Sequence, residues 1–237
     1  MQQSLPIVIL NFNRLDPFLR LISWIQTLAD VERIVVIDNA SSYPPLLDYY
    51  AGNPDGLEII RKQTNGGHLV TKQVLTAELN IQGRLIVTDP DLVPYSWTPS
   101  TILHKMQLLM DIYNNIHKIG AGLCVDDLPE HYPFAEEVRR HELSILGREL
   151  DDGSRIALID TTFCLYRYPQ ALGDWRTPAI RTARPFMLQH VDWYVDPYML
   201  SDEYAWYLDH CGASASYANQ LKDWYRGKAL HWHNLKA

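Results

Sequence analysis

Four short apolar runs near the start of the chain constrain its fold more than any other feature. Each has the length of a β-strand and is apolar on both faces, and segments with helical periodicity lie between them. Such strands belong to a sheet covered by helices on both sides. We therefore predict an α/β fold with a mainly parallel central sheet flanked by helices on both faces. The predicted strands are Leu5–Phe12, Ile34–Ile37, Leu57–Arg61 and Arg84–Thr88, and the helices are Pro17–Leu28, Pro45–Tyr50 and Val70–Leu79.

Polar residues follow the end of each of these strands. Right-handed crossovers place the carboxyl ends of all four strands at one edge of the sheet, and ligands of such sheets bind along that edge. We therefore expect these residues to line a ligand site. They are Asn11, Asn13 and Arg14 after the first strand, Asp38, Asn39, Ser41 and Ser42 after the second, Asn65, Gly66, Gly67 and His68 after the third, and Asp89 and Asp91 after the fourth.

The second half of the chain is less regular. Residues 169–200 are rich in proline, arginine and aromatic residues, which predicts irregular structure. Ser201, followed by two acidic residues, predicts the N-cap of a helix that continues to His210. The other predicted elements are helices over Thr101–Tyr113 and Ala135–Leu146 and strands over Ile119–Val125 and Ile156–Tyr166.

Composition limits the possible binding partners of the protein and its cellular compartment. The 237 residues carry a formal net charge of −7, whereas a nucleic-acid partner would need a clustered cationic surface, so we predict none. The start has no basic segment before an apolar one, and no apolar run approaches the ~20 residues of a membrane span. We therefore expect a cytoplasmic protein. Cys124, Cys164 and Cys211 form no CxxC pair, which indicates buried thiols.

Several common cofactor and nucleophile motifs are missing from the sequence. A dinucleotide-binding fold needs a glycine-rich turn after the first strand, where this chain has Asn11–Arg14. The sequence contains neither the GxxxxGK[ST] phosphate loop nor the GxSxG turn of α/β-hydrolases. These patterns argue against a dehydrogenase, a P-loop enzyme and a serine hydrolase.

Asp89-Pro90-Asp91 is the most specific local signal. Its two carboxylates directly follow the fourth buried strand, where they can share a divalent metal with a bound diphosphate. Mn²⁺ or Mg²⁺ suits such a site, because these cations accept a few carboxylates together with phosphate oxygens. The alternative is a turn that uses Asp-Pro for its backbone geometry.

Four segments carry a family resemblance: Pro6–Arg14, Val36–Ser42, Asn65–Gly67 and Thr88–Leu92. In this order they resemble GT-A fold glycosyltransferases, most closely the family 2-like members. The resemblance is good over about residues 5–95 and loose elsewhere. It implies one GT-A domain over residues 1–237, with a nucleotide-sugar-binding half at about 1–95 and an acceptor-binding half at about 96–237.

The resemblance implies a donor site whose residues also have suitable chemistry. The donor-binding residues are Asn11, Asn13, Arg14, Asp38, Asn65, Gly66, Gly67 and Asp89. An aspartate can accept hydrogen bonds from a base or a ribose, and glycine permits close backbone approach to a ligand. The alternatives are a helix cap for Asp38, a surface charge for Arg14 and a plain turn for Asn65–Gly67.

The metal ligands are predicted to be Asp89, Asp91 and His190. The resemblance implies the role of His190, since some GT-A enzymes use a late histidine as a further metal ligand, and neutral imidazole suits Mn²⁺. A packed histidine is the alternative for His190, and His231 and His233 are alternative ligands. Guanidinium groups in the loop before His190 match phosphate oxygens, unless they are simply solvated. These belong to Arg176, Arg181 and Arg184. Aromatic residues that can stack on an acceptor or belong to the core are Trp193, Tyr194, Tyr198, Tyr204, Trp206 and Tyr207.

An inverting transfer also requires a carboxylate that takes the proton from the acceptor hydroxyl. Asp192 lies where the family carries an acidic Glu-Asp motif, although this chain has His190-x-Asp192 instead. We prefer Asp192 as the base, followed by Asp160 and then by the acidic turn at Asp126 and Asp127.

The predicted reaction is transfer of a sugar from a nucleoside diphosphate sugar to a hydroxyl of a carbohydrate or glycoconjugate, with inversion by resemblance. One alternative is a nucleotidyltransferase, which usually needs a glycine-rich basic loop where Asn11–Arg14 stands. The other is a non-catalytic module that binds a nucleotide or a sugar.

Overall fold

The computed structural model describes residues 3–159, 162–172, 177–212, 215, 217–224 and 226, except for the side chain of His68. The strands are β1 (Leu5–Asn11), β2 (Val31–Asp38), β3 (Leu57–Arg61), β4 (Leu85–Thr88), β5 (Leu92–Pro94), β6 (Lys118–Gly120), β7 (Gly122–Leu123), β8 (Leu146–Glu149), β9 (Arg155–Ala157), β10 (Cys164–Tyr166), β11 (Ala179–Arg181) and β12 (Met187–His190). The α-helices are α1 (Asp16–Ile25), α2 (Pro44–Ala51), α3 (Val70–Ala77), α4 (Ile102–Ile112), α5 (Ala135–Ser144) and α6 (Asp202–His210).

The first four strands are parallel neighbours in the order β3-β2-β1-β4. Successive residues of a strand point to opposite faces, so β1 contributes to two cores. Ile7 and Ile9 pack with residues of α1 and α4, whereas Val8 packs with residues of α3. Helices therefore cover both faces of this half of the sheet, as the apolar runs predicted.

The large sheet continues beyond β4 in the order β10-β6-β11-β9-β8. Here β10 is antiparallel to both β4 and β6, and β9 is antiparallel to both β11 and β8, while β11 is parallel to β6. The prediction of a mainly parallel sheet is therefore correct for the first half and wrong for the second. Strands of three or four residues are too short for their periodicity to stand out in the sequence.

The predicted strand Ile119–Val125 is divided between two sheets. β6 lies in the large sheet, while β7 lies in a second sheet of order β5-β12-β7 among the described residues. The chain changes sheets at two glycines that permit close contacts. A Cβ on Gly122 would lie 2.3 Å from the carbonyl oxygen of Thr182, and one on Gly120 would lie 2.6 Å from the side chain of Ile159.

Two further expectations for the second half are wrong. The predicted strand Ile156–Tyr166 is two strands, β9 and β10, which pair with different neighbours. Residues 169–200, predicted to be irregular, contain β11 and β12. A charge within β11 hides its pattern: Arg181 is buried in an ion pair with Glu142 of α5 and donates to the carbonyl of Leu158.

The structure also bears on the predicted helix cap and on the cysteines. The Ser201 hydroxyl accepts a hydrogen bond from the N–H of Tyr204 at 3.1 Å, so the predicted N-cap of α6 is confirmed. The three cysteines are free thiols. The prediction that they are buried is correct for Cys124 and Cys164 and wrong for Cys211, which is partly exposed. None of the helices in the described ranges is long and apolar enough to cross a membrane.

Candidate active site

The carboxyl ends of β1, β2 and β4 form the floor of the candidate site. Asn11 and Asp38 are paired across β1 and β2, and both are fully buried. The N–H of Asn39 donates to the carbonyl of Asn11 at 2.9 Å. Asp89 directly follows β4, which pairs with β1. The convergence of polar residues at one sheet edge is therefore confirmed.

Asn11 is fixed by contacts on one side of its amide. Its Nδ2 donates to the carbonyl of Arg14 at 2.9 Å and to the hydroxyl of Tyr50 at 2.8 Å. Its Oδ1 is buried and has no hydrogen-bond partner in the described part of the chain. Buried polar atoms nearly always have a partner, so this oxygen is a candidate ligand-binding atom.

Asp38 shows the same pattern. Its Oδ2 accepts from the N–H of Ser41 at 3.4 Å and from Arg61 Nε at 3.5 Å, whereas its buried Oδ1 has no partner among the residues described. Burial raises the pKa of Asp38, and the hydrogen bond with Ser41 and the charge of Arg61 oppose this only in part. Because Oδ1 has no partner in the described part of the chain, Asp38 can accept a hydrogen bond from a ligand through this atom.

Asn13 connects the loops that follow β1 and β2. Its Oδ1 accepts the N–H groups of Ser42 at 2.7 Å and Tyr43 at 2.9 Å, and its own N–H donates to the Ser41 hydroxyl at 2.8 Å. Its backbone is left-handed, with φ of 56°, which asparagine tolerates better than most residues. The buried Nδ2 finds no partner in the described ranges, so Asn13 keeps one donor for a ligand.

Asn39 organises the loop Asn65–Gly67. Its Nδ2 donates to Asn65 Oδ1 at 2.9 Å, and its Oδ1 accepts the N–H of Gly66, also at 2.9 Å. Asn65 Oδ1 in turn accepts the N–H of Gly67 at 2.8 Å. Gly67 has φ of 63°, a conformation that glycine adopts without strain. The predicted loop thus lies beside Asp38 at the sheet edge.

Arg14 is buried and faces the second half of the chain. Its Nη1 lies 2.6 Å from Asp192 Oδ1, and its Nε lies 3.5 Å from Glu203. Its guanidinium carbon lies 5.0 Å and 4.9 Å from the ring centres of Tyr204 and Tyr207. Burial opposes the charge, but the nearby carboxylates, led by Asp192, outweigh it and raise the pKa of Arg14. The side chain of Arg14 is thus engaged by protein groups. Its assignment to the nucleotide stays a prediction.

The small sheet brings His190 to Asp91. β12 runs antiparallel to β5 and pairs His190 with Leu92, and the N–H of Val191 donates to the carbonyl of Asp91 at 2.9 Å. His190 Nε2 consequently lies 3.7 Å from Asp91 Oδ2. The imidazole also stacks on Trp193, with ring centres 4.6 Å apart and planes 6° apart, which fixes its orientation.

This pair of side chains fits a divalent cation. Asp91 Oδ1 and His190 Nδ1 are buried atoms without a hydrogen-bond partner among the described residues. A carboxylate oxygen and an imidazole nitrogen suit Mn²⁺, and Asp89 lies partly buried two residues from Asp91. Within the described ranges, no three His, Cys, Asp or Glu side chains are gathered as a complete ligand set. A bound diphosphate would have to supply further ligands.

The candidate bases lie in different surroundings. Asp192 is 7% exposed, in the 3₁₀ turn Val191–Tyr194, and is paired with Arg14. Burial raises its pKa, Arg14 opposes the shift, and Asp91 adds to it. Asp127 is exposed, and its Oδ1 accepts from the hydroxyl of Tyr194 at 2.5 Å. Asp160 lies outside the described residues, as do Arg176, His231 and His233.

The other predicted basic residues of the loop have protein partners. Arg181 is buried in its ion pair with Glu142. Arg184 is half exposed, lies 3.4 Å from Asp126 and places its guanidinium carbon 4.8 Å from the ring centre of Trp97. Arg184 therefore lies at the surface beside Trp97, whereas Arg181 has a structural role in joining β11 to α5.

Helix α6 packs over the strand-end loops of the first half. Glu203 accepts the N–H of Asp16 at 2.8 Å, and the Trp206 indole donates to the Ser42 hydroxyl at 3.3 Å. The Trp206 ring also lies 6.0 Å from that of Tyr43. This packing explains why Tyr204 is buried in the core. For this residue the second of the two predicted alternatives, core rather than acceptor stacking, is correct.

Sequence reasoning gave no role in the site to Tyr50 or Glu203. Asn39 was expected at the strand end after Asp38, but its hydrogen bonds with Asn65 and Gly66 were not predicted. Tyr50 and Glu203 reach the site through packing of α2 and α6, and no local sequence pattern predicts that contact.

Comparison with known proteins identifies the class of fold. No protein-family model matches the chain, and a search of curated proteins also finds no match. Mannosyltransferase PcManGT from Pyrobaculum calidifontis, solved with GDP-Man and Mn²⁺, matches with a TM-score of 0.54 and 12% identity over 88% of this chain and 61% of that one. GalNAc-T7, solved with UDP, GalNAc and Mn²⁺, matches with a TM-score of 0.52 and 11% identity over 80% of this chain and 44% of that one.

The chain thus has the GT-A fold that its sequence predicted, shared with glycosyltransferases. It spans less than two thirds of the length of either protein. At such low identity the match shows the fold, whereas activity depends on the site.

Proposed function

We propose that the chain is a metal-dependent glycosyltransferase that transfers a sugar from a nucleoside diphosphate sugar to a hydroxyl of a carbohydrate or glycoconjugate, with inversion. The observation that carries this proposal is the meeting of Asp91 and His190 at the sheet edge. Each retains a buried polar atom without a partner in the described part of the chain. On a GT-A fold this edge is where a diphosphate and its metal would be expected.

The nucleotide would bind above the ends of β1 and β2. Asn11 Oδ1 and Asp38 Oδ1 are acceptors for a base N–H or for ribose hydroxyls, and Asn13 Nδ2 is a donor. The backbone of Asn65–Gly67 lies at the same edge and permits close approach of a ligand. These groups are held in place by protein contacts before a ligand arrives.

Mn²⁺ or Mg²⁺ would be held by Asp91 and His190, with Asp89 adjacent. When bound, the cation supplies positive charge that stabilises the leaving diphosphate. The two matching structures support this assignment, since both contain Mn²⁺ together with GDP-Man or UDP. Arg14 keeps Asp192 in place beside this pair and balances part of the negative charge.

A thermal-shift assay with UDP and with GDP, each with and without Mn²⁺, tests the donor site. At a concentration of about 100 Kd, a ligand that binds only the native state stabilises it by about 2.7 kcal/mol. We expect the diphosphate shift to grow when Mn²⁺ is present and this growth to disappear in Asp91→Asn. Asp111→Asn is the control, because Asp111 is an exposed carboxylate of α4 that pairs with Arg84 and has no role in the proposed site. If neither diphosphate shifts the melting curve with Mn²⁺, the proposal is wrong.

A further inference from the structure

We propose that Asp127 takes the proton from the acceptor hydroxyl, and that Tyr95 and Tyr194 hold its carboxylate in position. The assignment rests on the proposed glycosyl transfer. It differs from the sequence-based preference for Asp192 because the two carboxylates have opposite surroundings. Asp127 is exposed, whereas Asp192 is buried.

Asp192 is poorly placed to meet an acceptor. Its carboxylate lies 2.6 Å from Arg14, which in turn packs against the rings of Tyr204 and Tyr207. A base must come within hydrogen-bond reach of the hydroxyl that it deprotonates. Reaching an acceptor would require Asp192 to leave the buried Arg14 without its nearer carboxylate, which is unfavourable because Glu203 lies farther away, at 3.5 Å. Asp192 therefore serves to hold Arg14 and the turn after His190.

Asp127 has the geometry of an oriented base. The hydroxyls of Tyr95 and Tyr194 donate to its Oδ1 at 3.0 Å and 2.5 Å, and the two hydroxyl oxygens lie 2.8 Å apart. Both bonds go to one oxygen, and Oδ2 has no hydrogen bond within the described ranges. Two donors from different segments limit the rotation of an otherwise exposed side chain. They leave Oδ2 available to an acceptor hydroxyl.

Asp127 also lies on the side of the small sheet that carries the predicted metal pair. β7 runs parallel to β12, with Leu123 opposite Leu188, so the chain after β7 emerges at the same end as His190. Tyr194 ends the 3₁₀ turn that begins directly after His190. The hydrogen bond between Tyr194 and Asp127 thus connects the acidic turn to the loop at Asp91 and His190.

The surface beside Asp127 suits a hydroxyl-rich acceptor. Trp97 stacks on Tyr95, with ring centres 4.5 Å apart and planes 9° apart, and the guanidinium of Arg184 lies over Trp97. These three side chains are partly exposed, so they offer ring surface and N–H donors to a ligand. Saccharides present both C–H faces and hydroxyls, which such a surface can contact.

The acceptor oxygen forms a bond to the anomeric carbon of the donor sugar while the bond from that carbon to the diphosphate oxygen breaks. The diphosphate leaves with the bonding electron pair. Asp127 Oδ2 takes the proton of the acceptor hydroxyl and later releases it to water.

An azide experiment separates a base from other roles. Wild type is first screened for hydrolysis of GDP-mannose, UDP-glucose and UDP-GalNAc with Mn²⁺, since water also needs a base. For the donor that is consumed, we expect Asp127→Asn to lower hydrolysis by about 10²–10⁴-fold. Sodium azide is already an anion and needs no deprotonation. The variant should therefore form glycosyl azide at nearly the wild-type rate.

Variants of the two tyrosines test whether they orient Asp127. Tyr95→Phe and Tyr194→Phe should lower hydrolysis less than Asp127→Asn while also sparing azide transfer, because they act through the orientation of Asp127. Glu130→Gln removes an exposed carboxylate from the same loop and should change neither rate.

The possible outcomes distinguish a failure of the base assignment from a failure of the proposed function. Unchanged hydrolysis in Asp127→Asn overturns the base assignment and leaves the proposed function standing. Equal loss of hydrolysis and azide transfer in a variant with the wild-type melting temperature also overturns it, since Asp127 would then act in binding. If wild type consumes none of the three donors, the proposed function fails, and this assignment fails with it.

Discussion

The two sides of the candidate site, the proposed donor side beneath α6 and the proposed acceptor side at the small sheet, differ in their exposure to solvent. On the donor side, Asn11, Asn13 and Asp38 are 0% exposed beneath the strand-end loops and α6. On the acceptor side, the side chains of Asp126 and Arg184 are 82% and 55% exposed. Fixed dipoles in a dry site act more strongly on charge than the same groups in water. The buried side therefore suits a charged nucleotide and its metal, and the open side suits acceptors that must enter and leave.

The largest effect that tests this contrast concerns Arg14. Arg14→Met leaves Asp192 buried without its cation, so we expect a loss of about 3–5 kcal/mol in the free energy of unfolding, measured by urea denaturation. Arg33→Met is the matched control, because its ion pair with Glu58 is exposed and worth about 0–1 kcal/mol. The double variant Arg14→Met/Asp192→Leu should recover much of the loss. Similar losses in the Arg14 and Arg33 variants would mean that the donor side is not closed.

A smaller effect of opposite sign is expected at Asp38. Burial raises the pKa of Asp38, so the native state favours its neutral form. This contribution to stability is fully present below the pKa of the unfolded state and is lost as pH rises through the raised native value. At neutral pH the ionised carboxylate is therefore destabilising, and Asp38→Asn should stabilise the fold by about 0.5–2 kcal/mol.

Melting curves of wild type and Asp38→Asn across a pH series measure this effect. The difference between them should shrink as the pH falls below the native pKa of Asp38. The same variant should bind UDP and GDP more weakly, because one acceptor is lost. A variant that is less stable than wild type at neutral pH would contradict the account of a buried, partly unpaired carboxylate.

The sequence predicted the placement of the strand-end residues of β1 to β4 well for a physical reason. β1 to β4 are apolar on both faces, and right-handed crossovers leave one place for their carboxyl ends. The positions of Asn11, Asp38 and Asp91 at one edge followed from these two facts. His190 was named as a ligand candidate from resemblance, but β12, which carries it to Asp91, was not predicted, because a four-residue strand has too little pattern.

The acceptor side could not be predicted to the same extent. Tyr95, Asp127 and Tyr194 meet because β5, β7 and β12 form a second sheet, and the chain passes from β6 to β7 between Gly120 and Gly122. Arg14 illustrates a related difficulty. The resemblance implied that Arg14 binds the nucleotide, whereas the fold gives it two carboxylate partners that are distant in sequence, Asp192 in the turn after β12 and Glu203 on α6.

The central claim is that Asp91 and His190 hold a divalent cation against a diphosphate, and anomalous diffraction tests it most directly. Crystals grown with UDP or GDP and MnCl₂ should show one strong anomalous peak about 2.0–2.6 Å from an Asp91 oxygen and a His190 nitrogen. The peak should be absent in Asp91→Asn. A bound diphosphate with no anomalous peak between these two side chains, or with Mn²⁺ held by other residues, would contradict the account.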